Sequence, residues 1–245
     1  MQRSCFILKA NVLVLSLLLP TLSFAIPVAS YDTSVLVSYS VSSADLSVEA
    51  SSSIYDDVLD VSGSGVASNS GSGDVGPSSD SSFAWSAITS GEVSDSLGYA
   101  DTTYAVEGEL VLRNLSSEVF IDAEVTFFVD LFAEIFSVDA TFDYALGYAE
   151  LFIEDDSGNA VYDDFLGFDS ASDGTGLLSD SLSSLIITDS VSISQNDSFT
   201  YYLSLEVTGW AETTRSVAVP APGTLALILI GLLGVGFAGS RPRIG

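Results

Sequence analysis

Histidine is absent from all 245 residues, and lysine, cysteine and methionine occur once each, as Lys9, Cys5 and Met1. Without imidazole there is no Ser-His-Asp triad and no histidine base or metal ligand. With no cysteine or lysine beyond position 9, the rest of the chain has no disulfide, thiol nucleophile, Schiff base or thiolate-bound metal. Basic charge is almost as scarce. Between positions 26 and 218 only Arg113 and Arg215 stand against all 33 acidic residues, which leaves that stretch 31 charges negative. Phosphate binding needs clustered cations, so nucleic acid is not expected as a partner. Carboxylates, hydroxyls and the two arginines are what remain for catalysis. A surface so acidic suits solubility, high ionic strength and divalent cations.

Long apolar runs occur only at the two ends. Residues 1–25 read as a secretory signal peptide: Arg3 and Lys9 precede an apolar core from Ala10 to Leu19, and Ser23-Phe24-Ala25 places small residues before a cleavage site between Ala25 and Ile26. That core is too short to span a bilayer comfortably. At the other end, Val219-Pro220-Ala221-Pro222 is followed by 18 mostly apolar residues from Gly223 to Ser240, then Arg241-Pro242-Arg243. The prolines break any element arriving from upstream. The run predicts one transmembrane helix roughly 27 Å long at ~1.5 Å per residue, near the ~30 Å hydrocarbon thickness of a bilayer. Arg241 and Arg243 favour keeping its far end in the cytoplasm.

In that order, the proline motif, apolar helix and arginine pair of residues 219–245 resemble the PEP-CTERM sorting signal of bacterial exported proteins, in the variant with Ala at the centre of the motif. The resemblance covers about a ninth of the chain. It implies recognition by an exosortase, a membrane-bound cysteine transpeptidase-like enzyme that cuts near the motif, while export by the Sec machinery is what the signal peptide predicts. It also implies passage from the inner membrane to the cell surface or matrix, in a family linked to exopolysaccharide and biofilm production.

Residues 26–218 then form an acidic, Ser/Gly-rich ectodomain, about 190 residues, enough for one core. Val35, Val37, Tyr39 and Val41 alternate with Leu36, Ser38 and Ser40, which predicts a strand, and a second follows around Leu46 to Ala50. Ser62 to Ser82 holds nine Ser and five Gly in 21 residues, and predicts a flexible loop or linker. Tyr104, Val106, Leu110 and Leu112 mark a strand ending at Asn114. Every odd position from Val119 to Ile135 is apolar, the strongest periodicity in the chain. As one strand it exceeds ~50 Å at ~3.3 Å per residue, which predicts a bulge or turn near Asp130 to Glu134. The apolar phase then moves to the even positions Val138 to Tyr148. Two hairpins are expected, one across Glu154 to Asn159 with Ala160 to Phe168 as partner, the other joining Leu185–Ile193 to Phe199–Val207. The fold class is therefore all-β, an antiparallel β-sandwich or jelly roll.

Three acidic groups attract attention: Asp56, Asp57 and Asp60; Glu154, Asp155 and Asp156 with Asp163 and Asp164; and Asp169 with Asp173. Carboxylates in turns beside Gly suit Ca²⁺, and Asp155, Asp156, Asp169 and Asp173 are the weak candidates for it. No other cofactor is expected, and no catalytic residue stands out. Trp85, Trp210, Tyr55, Tyr99, Tyr162 and Tyr202 could stack on sugar rings, although core packing claims most such residues. Asn114-Leu-Ser116 and Asn196-Asp-Ser198 match the glycosylation acceptor pattern. The reading that unites these features is a non-enzymatic surface or matrix protein associated with exopolysaccharide. The alternatives are a carbohydrate-active enzyme using a carboxylate pair and a Ca²⁺-bridged structural adhesin.

Overall fold

A computed structural model describes residues 27–80 and 82–215. The signal peptide with its Ala25–Ile26 cleavage site, the Val219-Pro220-Ala221-Pro222 motif, the apolar run and Arg241 with Arg243 lie outside the described residues. Among the described residues no helix is long and apolar enough to cross a membrane.

The chain is all-β, and its strands follow from its alternation. β1 (Ala29–Val41) buries Ala29, Tyr31, Thr33, Val35, Val37 and Tyr39 and turns the even positions outward. β5 (Phe120–Ser137) buries every odd residue from Ile121 to Ile135, while Phe120 and Phe128 point outward. The two pair antiparallel without interruption from Ala29↔Ser137 to Val41↔Val125. On its other edge β5 pairs with β8 (Gly176–Ser194), and there the register slips between Val129 and Leu131. The bulge expected near Asp130 exists, but its extra residue belongs to β8. Ser184 adopts φ 57°, and its N–H donates to Asp130 Oδ1 at 2.6 Å.

Two strands of unusual length organise the rest. β2 (Ser47–Gly71) and β4 (Ala84–Arg113) run antiparallel along nearly their whole lengths, and the short β3 (Val75–Ser78) lies on the outer edge of β2. The first half of β4 pairs with β1, and its second half pairs with β9 (Ser198–Thr213). β9 pairs in turn with β6 (Asp143–Asp155), and β6 forms the expected hairpin with β7 (Ala160–Asp169). A single sheet of order β7-β6-β9-β4-β1-β5-β8 therefore bends over and nearly closes on itself. Its inner faces enclose one main core around Trp85, Phe127 and Tyr201, with Tyr201 edge-on to Phe127 at 5.2 Å.

Several expectations are corrected. Residues 62–71 are not a loop: they complete β2 and pair with β4 from Gly63↔Gly98 to Gly71↔Ala87. Small residues are required there because the two strands bend together. A Cβ on Gly63, at φ 62°, would lie 2.0 Å from Leu97 O, and one on Gly65 would lie 1.9 Å from Tyr99 O. Serine then supplies lateral bonds, such as Ser64 Oγ to Ser96 O at 2.6 Å. β8 and β9 do not form a hairpin, since both edges of β9 are taken by β4 and β6. Residues 195–197 instead carry the chain from one layer to the other. Finally, β6 buries its odd positions: Ala145, Gly147 and Ala149 face inward, and Tyr144, Leu146 and Tyr148 outward. Space decides this phase, because a Cβ on Gly147 would already lie 2.9 Å from Thr33 Cγ2.

Candidate functional site

Alternation along the second half of β4 buries Tyr104, Val106, Gly108, Leu110 and Leu112, which leaves Glu107 and Glu109 on the outer face. In β9 the same rule buries Tyr201, Leu203 and Leu205 and exposes Tyr202 and Ser204. In β6 it turns Phe152 and Glu154 outward, both half-buried. Strand register then assembles these side chains in rows. Tyr202 stands opposite Glu109 on β4 and opposite Glu154 on β6. In the next row Ser204 stands opposite Glu107 and Phe152. Directly opposed side chains have Cβ atoms about 4.5–5.5 Å apart, so each row sets its side chains next to one another on the outer face.

β3 raises a wall along one side. Ser52 Oγ donates to Gly73 O at 2.7 Å, and Ile54 N–H donates to Asp74 Oδ1 at 2.8 Å, which hold the 73–77 segment over the edge of β2. The result is an open cleft of about 560 Å³ between Ser51–Ser53, Val75–Pro77 and the Tyr202 rows. A phenol ring offers it a flat apolar face, the carboxylates accept hydrogen bonds, and the serines do both. On the same face of this layer, Trp210 stacks on Tyr99 with ring centroids 5.7 Å apart and planes 14° apart. From Tyr202 to Trp210 the outer face of β9 extends about 27 Å at ~3.4 Å per residue. Tyr99 donates to Asp60 Oδ2 at 2.7 Å, and that bond raises its pKa.

The other aromatic candidates divide by position. Trp85 is fully buried, its Nε1 donating to Ser51 O at 2.7 Å, so it is core. Tyr162 is half-buried, and burial followed by the charge of Asp164 pushes its pKa to about 12. Tyr55 is 74% exposed on β2 and does not line the cleft. Sequence reasoning places Tyr202 on the polar face of its strand but misses Glu107, Glu109 and Phe152. The available signal is the alternation through β4, where Glu occupies successive outward positions.

The four acids weighed for Ca²⁺ are not brought together. Asp155 and Asp156 close the β6–β7 turn, whereas Asp169 precedes and Asp173 ends the single helical turn α1 (Ser170–Asp173) at the other end of that hairpin. Asp155 accepts from Ser157 N–H and Asn159 N–H and Nδ2, each at 2.8 Å, and the Asn159 bonds hold its carboxyl below the usual range. Asp169 caps α1 through Ala171 N–H, and Asp173 accepts from Asp169 N–H at 2.7 Å. Among the described residues no group of three or more acids is arranged to hold a metal ion. Asn114 is fully buried, and its Nδ2 donates to Glu118 O and Ile193 O, so this glycosylation match is sealed inside the fold.

No family model matches the chain, and no curated protein matches it. Among solved structures, TmCBM61 in complex with beta-1,4-galactotriose is 9% identical with a TM-score of 0.14, over 47% of this chain and 67% of that one. The enzymatically active domain of bacteriophage CBA120 tailspike protein 4 is 14% identical with a TM-score of 0.08. That match covers 61% of this chain and only 18% of the tailspike chain. Likeness at this level carries no argument about fold or ligand.

Proposed function

We propose that this chain is an exported, non-enzymatic surface or matrix protein that holds a glycan on the outer face of a jelly-roll-type sandwich. The observation that carries the reading is the cleft in which Tyr202 lies among Glu107, Glu109 and Glu154. A sugar ring presents one apolar face and a rim of hydroxyl donors; an exposed phenol and acceptor-only carboxylates match both. The cleft is open, Glu107 and Glu109 are exposed, and Glu154 is only half-buried. A glycosidase instead needs one carboxyl desolvated enough to serve as an acid. The tail supports the address: the 219–245 segment reads as an exosortase-recognised sorting signal behind a Sec leader. The protein would be anchored first in the inner membrane, then reach the surface or matrix, with exopolysaccharide as partner.

The test is co-sedimentation of the full chain with extracellular polysaccharide from its source, with release of reducing ends followed in parallel. Saturable retention, lost in Tyr202→Ala and without sugar release, is expected. Sugar release abolished by Glu→Gln changes in the cleft would establish the enzyme reading instead. Retention untouched by Tyr202→Ala would show that the glycan is held elsewhere than in the cleft.

A further inference from the structure

We propose that the Tyr202 cleft selects sugars bearing free amino groups, so that its ligand is an oligosaccharide of 2-amino-2-deoxyhexose units. This rests on the glycan-binding reading and narrows it. Tyr202 is flanked in register by Glu109 on one side and Glu154 on the other, with Glu107 one row away. An aromatic face between two carboxylates is the arrangement that an ammonium group satisfies best. The ring attracts a cation through its quadrupole, and each carboxylate forms a charge-assisted hydrogen bond about twice as strong as a neutral one.

The alternatives fit less well. A uronic acid would bring a carboxylate to a face whose arginine, Arg113, is already engaged by Glu49 at 3.5 Å. A neutral sugar supplies hydroxyl donors but leaves the repulsion among the carboxylates unrelieved. An N-acetylated sugar carries no charge and adds a carbonyl acceptor where the cleft already has acceptors in excess. The field of the whole molecule, 31 charges negative between positions 26 and 218, also concentrates cations near the surface. That attraction is diffuse, whereas the ring at Tyr202 is a local feature without charge. The two can therefore be separated.

The experiment is calorimetric titration of the full chain, in mild detergent at physiological ionic strength, with tetramers of glucosamine, N-acetylglucosamine and glucose. The pH is set so that the amine is protonated. The glucosamine tetramer is expected to bind at least about tenfold tighter than the others, a difference of about 1.4 kcal/mol. Tyr202→Ala, which leaves net charge unchanged, is expected to abolish that binding, and Glu109→Gln with Glu154→Gln to reduce it to the neutral level. Thermal unfolding checks that each variant is folded. Equal binding of all three tetramers would overturn amine selection and leave glycan binding standing. Binding of none would overturn both. Full amine affinity in Tyr202→Ala would show diffuse electrostatic attraction and overturn the inference.

Discussion

Tyr31 shows how single residues set this fold. Its ring lies between two strands that have given up their side chains for it. A Cβ on Gly209 would sit 1.9 Å from Tyr31 Cδ2, and one on Gly91 would sit 2.4 Å from its hydroxyl. Gly209→Ala is therefore expected to destabilise the protein by about 1–3 kcal/mol, the usual cost of overpacking, measured by urea unfolding. The Tyr31 hydroxyl bonds to Thr102 Oγ1 at 2.8 Å, and Thr89 Oγ1 bonds to both Thr102 and Asn69. Burial, partly offset by the Thr102 bond, pushes the Tyr31 pKa from 10.0 to about 12. The folded state thus holds this proton more tightly than the unfolded chain does. The resulting stability is complete below pH 10 and is lost as pH rises towards 12. Unfolding free energy measured against pH is expected to fall over that window in the wild type, and less steeply in Tyr31→Phe.

At the scale of elements, the bend shared by β2 and β4 is the feature on which the layers depend. Gly63 and Gly98 pair on one side of it, Gly65 and Val93 on the other, so residues 94–97 stand against Ser64 alone. Gly63→Ala would force a side chain into φ 62° and against Leu97 O. A loss of about 1–3 kcal/mol is expected from strain and overpacking together. Limited proteolysis is expected to find new cleavage within residues 62–71. That segment is illegible in the sequence because its Ser/Gly composition describes both a mobile loop and a strand that must fold sharply against a neighbour. β5 is legible because its odd positions meet the core without a break from Ile121 to Ile135. The phase of β6 is not, since the large residues Tyr144 and Tyr148 face outward and the small ones fill the narrow interior. In the candidate site, Tyr202 can be placed on a polar face from its own strand. Its relation to Glu109 and Glu154 depends on which strands flank β9, and local alternation does not encode that neighbourhood.

For the whole molecule, negative charge sets the behaviour in solution. Two arginines face 33 acids between positions 26 and 218; both are in ion pairs, Arg113 with Glu49 and Arg215 with the buried Asp143. The remaining carboxylates repel one another, and salt screens them with a Debye length of about 8 Å at physiological strength. Raising sodium chloride from low to physiological concentration is expected to increase the melting temperature, measured by calorimetry; a fall would mean that the ion pairs outweigh the repulsion. The same excess of acceptors gives the outer face of β4, β9 and β6 its character, with aromatic rings set among carboxylates. The most direct test of that face as a binding surface is amide chemical-shift mapping of the full chain during titration with an oligosaccharide of glucosamine. Saturable shifts are expected at residues 107–109, 152–154 and 202–204, spreading along β9 towards Trp210. Shifts confined to other surfaces, or none at saturating oligosaccharide, would contradict binding at this face.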